Sequence, residues 1–165
     1  MQEPFVGVRQ PTNSDKLIME NTRYVKSYRE LEVYQRSFEV AKAIFETSKL
    51  FPREETYSLT DQVRRASRSI GAQIAEAWGK RRYEKHFISK LSDADAEQLE
   101  TQHWIKVAVS CGYLDNNVSV DLISELERIG RMLNSMIKKA DLFCGSDESV
   151  VREAVLDYGE DMTDY

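Results

Sequence analysis

Proline and glycine are scarce in this chain, at three and seven among 165 residues, and two of the prolines precede residue 12. A loop-rich sandwich or barrel needs more turn chemistry than that, so the composition points to long helices. Cysteine is equally sparse. Cys111 and Cys144 lie far apart with no paired spacing, which excludes a disulfide framework or a cysteine zinc site and predicts reduced cytosolic thiols. Two histidines, His86 and His103, leave little material for a nucleophilic triad, and no glycine-rich phosphate loop is present. No basic stretch followed by an apolar run opens the sequence, and no run of 18 apolar residues occurs. These absences predict a cytoplasmic chain with no membrane association, no cofactor and no catalytic activity of its own.

What is present is apolar material for one core and an uneven charge. Apolar residues make up 41 % and charged residues 31 %, with a mean hydropathy of −0.54. Residues 146–165 hold seven acids against Arg152, a net −6, which leaves +1 for residues 1–145 of the whole chain's −5. Within that remainder, Arg53 to Lys90 holds nine bases against five acids, a net +4. An acidic pI of about 5.2 therefore coexists with a local basic zone suited to anions, and the tail's charge suits it to cover that zone as a phosphate mimic.

Helical periodicity runs through the centre of the chain. Leu31, Tyr34, Phe38, Ala41, Phe45 and Ser48 recur at steps of three and four, widened by Val33, Val40 and Ile44, until Pro52 stops the helix. A second helix is expected from Ser58, capped with Asp61, through Leu59, Val63, Ala66, Ile70 and Ile74 to a stop at Gly79. A third runs from Tyr83 to Cys111 on Phe87, Leu91, Ala94, Leu99, Trp104, Ile105, Ala108 and Val109, closed by Gly112. Asn116 or Asn117 caps a fourth, which carries Val118, Leu122, Leu126, Ile129, Leu133 and Met136 towards Leu142. Short joins between four amphipathic helices predict an all-α, up-down-up-down antiparallel four-helix bundle over residues 29–142. Residues 1–28 read as a flexible N-terminal arm, and 143–165 as an acidic tail whose charge outweighs a short helix through Val150, Val151, Ala154 and Val155.

Several stretches carry a family resemblance: Leu31-Glu32-Val33-Tyr34-Gln35, the run from Phe51 to Ala66, Ile74-Ala75-Glu76-Ala77-Trp78-Gly79, Leu99 to Gln102, Gly112-Tyr113-Leu114 and Ile129 to Asn134. Together, over about residues 30–141, they resemble the 23S ribosomal RNA intervening-sequence (S23-type) proteins of bacteria. Gln73 stands where that family usually has Asn, and Ala77 where it usually has Gly. The resemblance implies a four-helix bundle assembled as a ring-like homopentamer. It also implies kinship with the accessory variability protein of diversity-generating retroelements, which binds nucleic acid and a reverse transcriptase.

The candidate site is the basic zone. Arg64, Arg65 and Arg68 are read as sharing one face of the second helix, followed by Lys80, Arg81, Arg82 and Lys85 at the next turn. Guanidinium forks suit phosphate oxygens, so the zone predicts an oligomeric adaptor that grips an RNA or DNA backbone without reading its sequence. The alternative is a protein–protein scaffold, in which the same arginines pair with acids such as Asp93, Asp95, Glu97 and Glu100 on neighbouring helices or subunits. A third reading is a ferritin-type metal bundle, prompted by Glu100 and His103 at i,i+3. That chemistry needs a second such unit, and Tyr83 stands three residues before His86 where the glutamate would have to be.

Overall fold

The computed structural model describes residues 22–144 and 151–154. Four long helices, α1 (Glu32–Ser48), α2 (Leu59–Lys80), α3 (Glu84–Ser110) and α4 (Asn116–Lys138), pack as a closed cycle of neighbours, α1 on α2, α2 on α3, α3 on α4 and α4 on α1. The fold is the expected all-α four-helix bundle. Its seam follows the alternating three- and four-residue spacing of antiparallel helix packing. On α3 the buried positions are Phe87, Leu91, Ala94, Gln98, Thr101, Ile105 and Ala108; on α4 they include Ser119, Leu122, Leu126, Ile129, Leu133 and Met136.

That register corrects the expected stripe of α3. Leu99 is exposed, whereas Gln98 and Thr101 are buried in its stead. Polar side chains are tolerated there because each finds a partner. Gln98 donates to Asp95 Oδ1 at 3.1 Å and accepts from Gln102 Nε2 at 2.7 Å, and the Thr101 hydroxyl donates to the Glu97 carbonyl at 2.7 Å. Across the seam stands Gly130, where a Cβ would lie 2.9 Å from Gln98 Nε2. A glycine inside α4 is therefore a close helix approach, which offsets its weak helix propensity.

Helix ends follow local chemistry with three corrections. Asp115, not Asn116 or Asn117, caps α4, its Oδ1 accepting from Asn117 N–H at 2.8 Å. Ser58 makes no side-chain cap on α2. Glu55 takes that role, accepting from the Ser58 hydroxyl and from the Leu59 N–H at 3.2 Å, while Asp61 faces Arg65 at 3.7 Å. Gly79 does not end α2, because the Arg81 guanidinium donates to the Trp78 carbonyl at 2.9 Å and closes the last turn beyond it. Gly112 does terminate α3, with φ of 74°. The Tyr113 and Gly112 N–H groups reach back to the carbonyls of Ala108 and Val109, both at 2.9 Å, the paired bonds of a left-handed helix stop. Gly112→Ala is expected to cost about 1–2 kcal/mol in urea unfolding, since a Cβ is strained in that conformation.

The bundle reaches past its expected boundaries. Strand β1 (Thr22–Val25) pairs antiparallel with β2 (Val151–Ala154), in the register Thr22 to Ala154 and Val25 to Val151. Part of the predicted arm and part of the predicted tail thus form a ribbon, and residues 151–154 are a strand where a short helix was the alternative. Extended pairing suits the β-branched and aromatic run of Thr22 to Val25, and an isolated ribbon needs packing to persist. Val25 supplies it, fully buried in the core. After α4 the chain turns through residues 140–142, and the buried Phe143 stacks on Phe87 with ring centres 5.6 Å apart. The expected flexibility of the arm and tail otherwise falls on residues 1–21, 145–150 and 155–165, outside the described residues. Among those described, no helix is long and apolar enough to cross a membrane.

Candidate nucleic-acid interface

The seven cations expected in one zone fall into three environments. Arg64 and Arg68 turn towards α1, where their guanidinium carbons lie 4.9 and 5.6 Å from the centre of the Phe45 ring. Lys49 Nζ approaches the same ring at 4.7 Å. Arg64 is further held by donating from Nε to the Ser48 hydroxyl at 2.7 Å. A ring face attracts each cation separately, yet three positive charges around it repel one another. Among the described residues, only Lys49 of the three has a carboxylate nearby, Glu46 at 2.7 Å.

Arg65 departs from the expected shared face. One residue further round α2, it points to the opposite flank, 3.7 Å from Asp61. From there it acts on Glu97 of α3. Burial pushes the Glu97 carboxyl above the usual range, Glu100 and Asp93 add to the rise, and Arg65 offsets part of it. Ionised Glu97 thus opposes folding at neutral pH. The penalty is absent below the ordinary value of 4.5 and sets in as pH rises past it. Glu97→Gln is expected to raise the thermal midpoint at pH 7 by about 1–2 °C, the size suited to a half-exposed site, and to change nothing in strong acid.

The remaining four candidates sit at the α2–α3 turn. Lys80, Arg82 and Lys85 are exposed. Arg81 is not free in the same sense: its guanidinium lies 4.4 Å from the Trp78 ring centre while capping α2. Close by, burial pushes the Cys144 thiol up to about 11, with Glu84 raising it further and Arg81 opposing. Lys90, also in the basic stretch, is neutralised by α2 and by its own helix. It meets Glu76 at 2.9 Å, Asp93 at 3.4 Å and the Gln73 side-chain carbonyl at 3.0 Å.

The metal reading is corrected by the same register that buries Gln98 and Thr101. Glu100 and His103 fall outside the seam. Glu100 accepts from the Trp104 indole at 3.0 Å, and the His103 ring sits edge-on to Trp104 at 4.8 Å. No group of three histidine, cysteine or acidic side chains among the described residues is placed to hold an ion. Sequence reasoning missed the aromatic residues beside the arginines. Tyr34, Phe38 and Phe45 belong to the stripe expected to enter the core, but the core takes Val33, Ser37, Val40 and Ile44 instead. The signal was the double width of the apolar stripe on α1.

The family model described as 23S rRNA-intervening sequence protein matches residues 29–135. The chain belongs to that family. The match begins just before α1 and ends inside α4, so it takes in the candidate cations and leaves out the ribbon strands. A crystal structure of an S23 ribosomal protein family member from Bacteroides thetaiotaomicron, of unknown function, is similar with a TM-score of 0.59 and 29 % identity. The likeness covers 64 % of this chain and 98 % of that one. No curated protein matches significantly.

Proposed function

We propose that this intervening-sequence family protein is a non-enzymatic, oligomeric adaptor that binds the backbone of RNA or DNA through its basic zone. The observation that carries the reading is the state of the cations. Arg64, Arg68, Lys80, Arg82 and Lys85 have no carboxylate within 4.0 Å among the described residues, whereas Arg36, Lys90 and Arg128 are neutralised within the chain. Unpaired charge along α2 and its following turn favours a polyanion, and Arg contacts to phosphate need no base readout. The homopentamer implied by the family resemblance would repeat each small patch around an axis, so weak contacts multiply. A reverse transcriptase is the protein partner the same resemblance suggests.

Full-length protein titrated with RNA and with DNA between 50 and 300 mM salt tests this, with mass read by light scattering. Affinity is expected to fall steeply with salt, as each neutralised phosphate releases counterions. A salt-independent or undetectable interaction overturns the reading. A second reading, the scaffold, is favoured by the acidic face of α3, where burial and then the charges of Glu100 and Asp93 push the Glu97 carboxyl up. In that case the arginines meet those acids on a neighbouring subunit, and Arg64→Glu with Arg68→Glu breaks the oligomer.

A further inference from the structure

Helix α1 carries more apolar surface than its own bundle uses. Beside its core row lies a second row, Tyr34, Phe38, Ala41 and Phe45, which lines a groove of about 580 Å³ between α1 and α2. Phe38 is 59 % exposed there. The opposite wall is built from small residues, including Ser67, Gly71 and Ala72. Gly71 lets the helices close up, since a Cβ would stand 3.2 Å from the Ser37 hydroxyl oxygen. The volume falls in the range of clefts that enclose a ligand, about 300–1,000 Å³. One end is cationic, with Arg64 and Arg68 over Phe45 and neither paired with a described carboxylate. Lys42 on the rim is already paired with Glu39 at 3.7 Å, so the unpaired charge is that of the two arginines. The groove therefore suits an extended segment that alternates apolar or aromatic side chains with acids.

We propose that residues 155–165 of the same chain occupy it. That segment interleaves Leu156, Tyr158, Met162 and Tyr165 with Asp157, Glu160, Asp161 and Asp164, and contains no base. Residues 1–21 leave the same ribbon and compete for the groove on grounds of position, but they carry Arg9 and Lys16 beside Glu3, Asp15 and Glu20. Charge selects the tail. The tail leaves the ribbon beside Thr22, at the end away from Tyr28 on the groove wall, and has to turn back over at most ~20 Å to reach it. Eleven extended residues span up to ~36 Å. The row from Tyr34 to Phe45 is ~17 Å long. Tail carboxylates against Arg64 and Arg68 would make charge-assisted hydrogen bonds, with Tyr158 and Met162 as apolar anchors. Tethering keeps the segment at a high effective concentration, so modest contacts suffice. The inference stands on the groove and the tail and is independent of any nucleic-acid activity.

The test is photocross-linking of the full chain carrying Phe38→p-benzoylphenylalanine, irradiated without nucleic acid at micromolar concentration. Peptide mapping is expected to find an adduct of single-chain mass joining position 38 to residues 155–165. Its yield should drop about fivefold in 1 M salt, and by a similar factor when Asp157→Asn, Glu160→Gln, Asp161→Asn and Asp164→Asn are combined. Ala72→p-benzoylphenylalanine, on the exposed opposite wall, gives the same adduct by an independent variant, and circular dichroism verifies that each remains helical. Adducts to residues 1–21 or to a second copy overturn the proposal, as does a yield no greater than that of the neutralised tail. Since the reaction contains no RNA or DNA, its failure is distinct from failure of the salt titration.

Discussion

Phe87→Ala is expected to lower the unfolding free energy by about 3–5 kcal/mol. The ring is 1 % exposed near the start of α3 and stacks on Phe143 from the chain beyond α4. Truncation removes its transfer free energy and leaves a cavity that surrounding helices close only in part. It also strips Phe143 of its stacking partner, at the end of the bundle where residues 140–142 lie against β2. A domain of this size is stabilised by only about 5–15 kcal/mol, so the variant should stand near the edge of folding, its thermal midpoint down by about 10 °C. Calorimetry with urea unfolding measures this directly. A loss below about 1 kcal/mol would mean that the ring is not packed as described.

Charge reversal at the α2–α3 turn should have the largest functional effect. Lys80→Glu, Arg82→Glu and Lys85→Glu together are expected to weaken nucleic-acid binding about 100-fold at low salt, on the order of 1 kcal/mol for each lost contact. The slope of log affinity against log salt should fall in magnitude by about 2–3 units, since each phosphate contact contributes about 0.7–0.9. All three side chains are exposed, so the thermal midpoint should hold nearly constant, and a large drop in it would point to a structural role. This turn also separates the binding reading from tail docking. It lies beyond the groove that Arg68 borders, and Arg81 within it is already committed to Trp78 and the end of α2. An unchanged slope in a folded variant would remove the turn from the interface.

The four helices were legible in the chain because their apolar residues recur at three- and four-residue steps while prolines and glycines mark few breaks. Leu122, Leu126, Ile129 and Leu133 of α4 were named correctly as core, since an apolar side chain at that spacing has nowhere better to go. Errors came where a side chain had a choice. Leu99 and Gln98 are adjacent, and hydropathy favours burying Leu99. The seam buries Gln98 because Asp95 and Gln102 satisfy its amide and Gly130 leaves it room. On α1 the sequence pattern is one wide apolar stripe, whereas the structure divides it into two rows, because a bundle of four helices covers only a limited arc of each.

The candidate site divides in the same way. The local sequence determined that positive charge gathers between Arg53 and Lys90 and negative charge beyond Ser146, because net charge needs no fold to be counted. It determined the helices, since periodicity and stop signals act within a few residues. Only the tertiary structure decided which cations stay available. Arg64 and Arg65 are neighbours in the chain, yet a step of about 100° round the helix sends one over Phe45 and the other towards Asp61 and Glu97. Lys90 found carboxylates on two helices, and Arg81 found a carbonyl and an indole. Pairing of this kind depends on distances between residues remote in sequence, which packing alone sets.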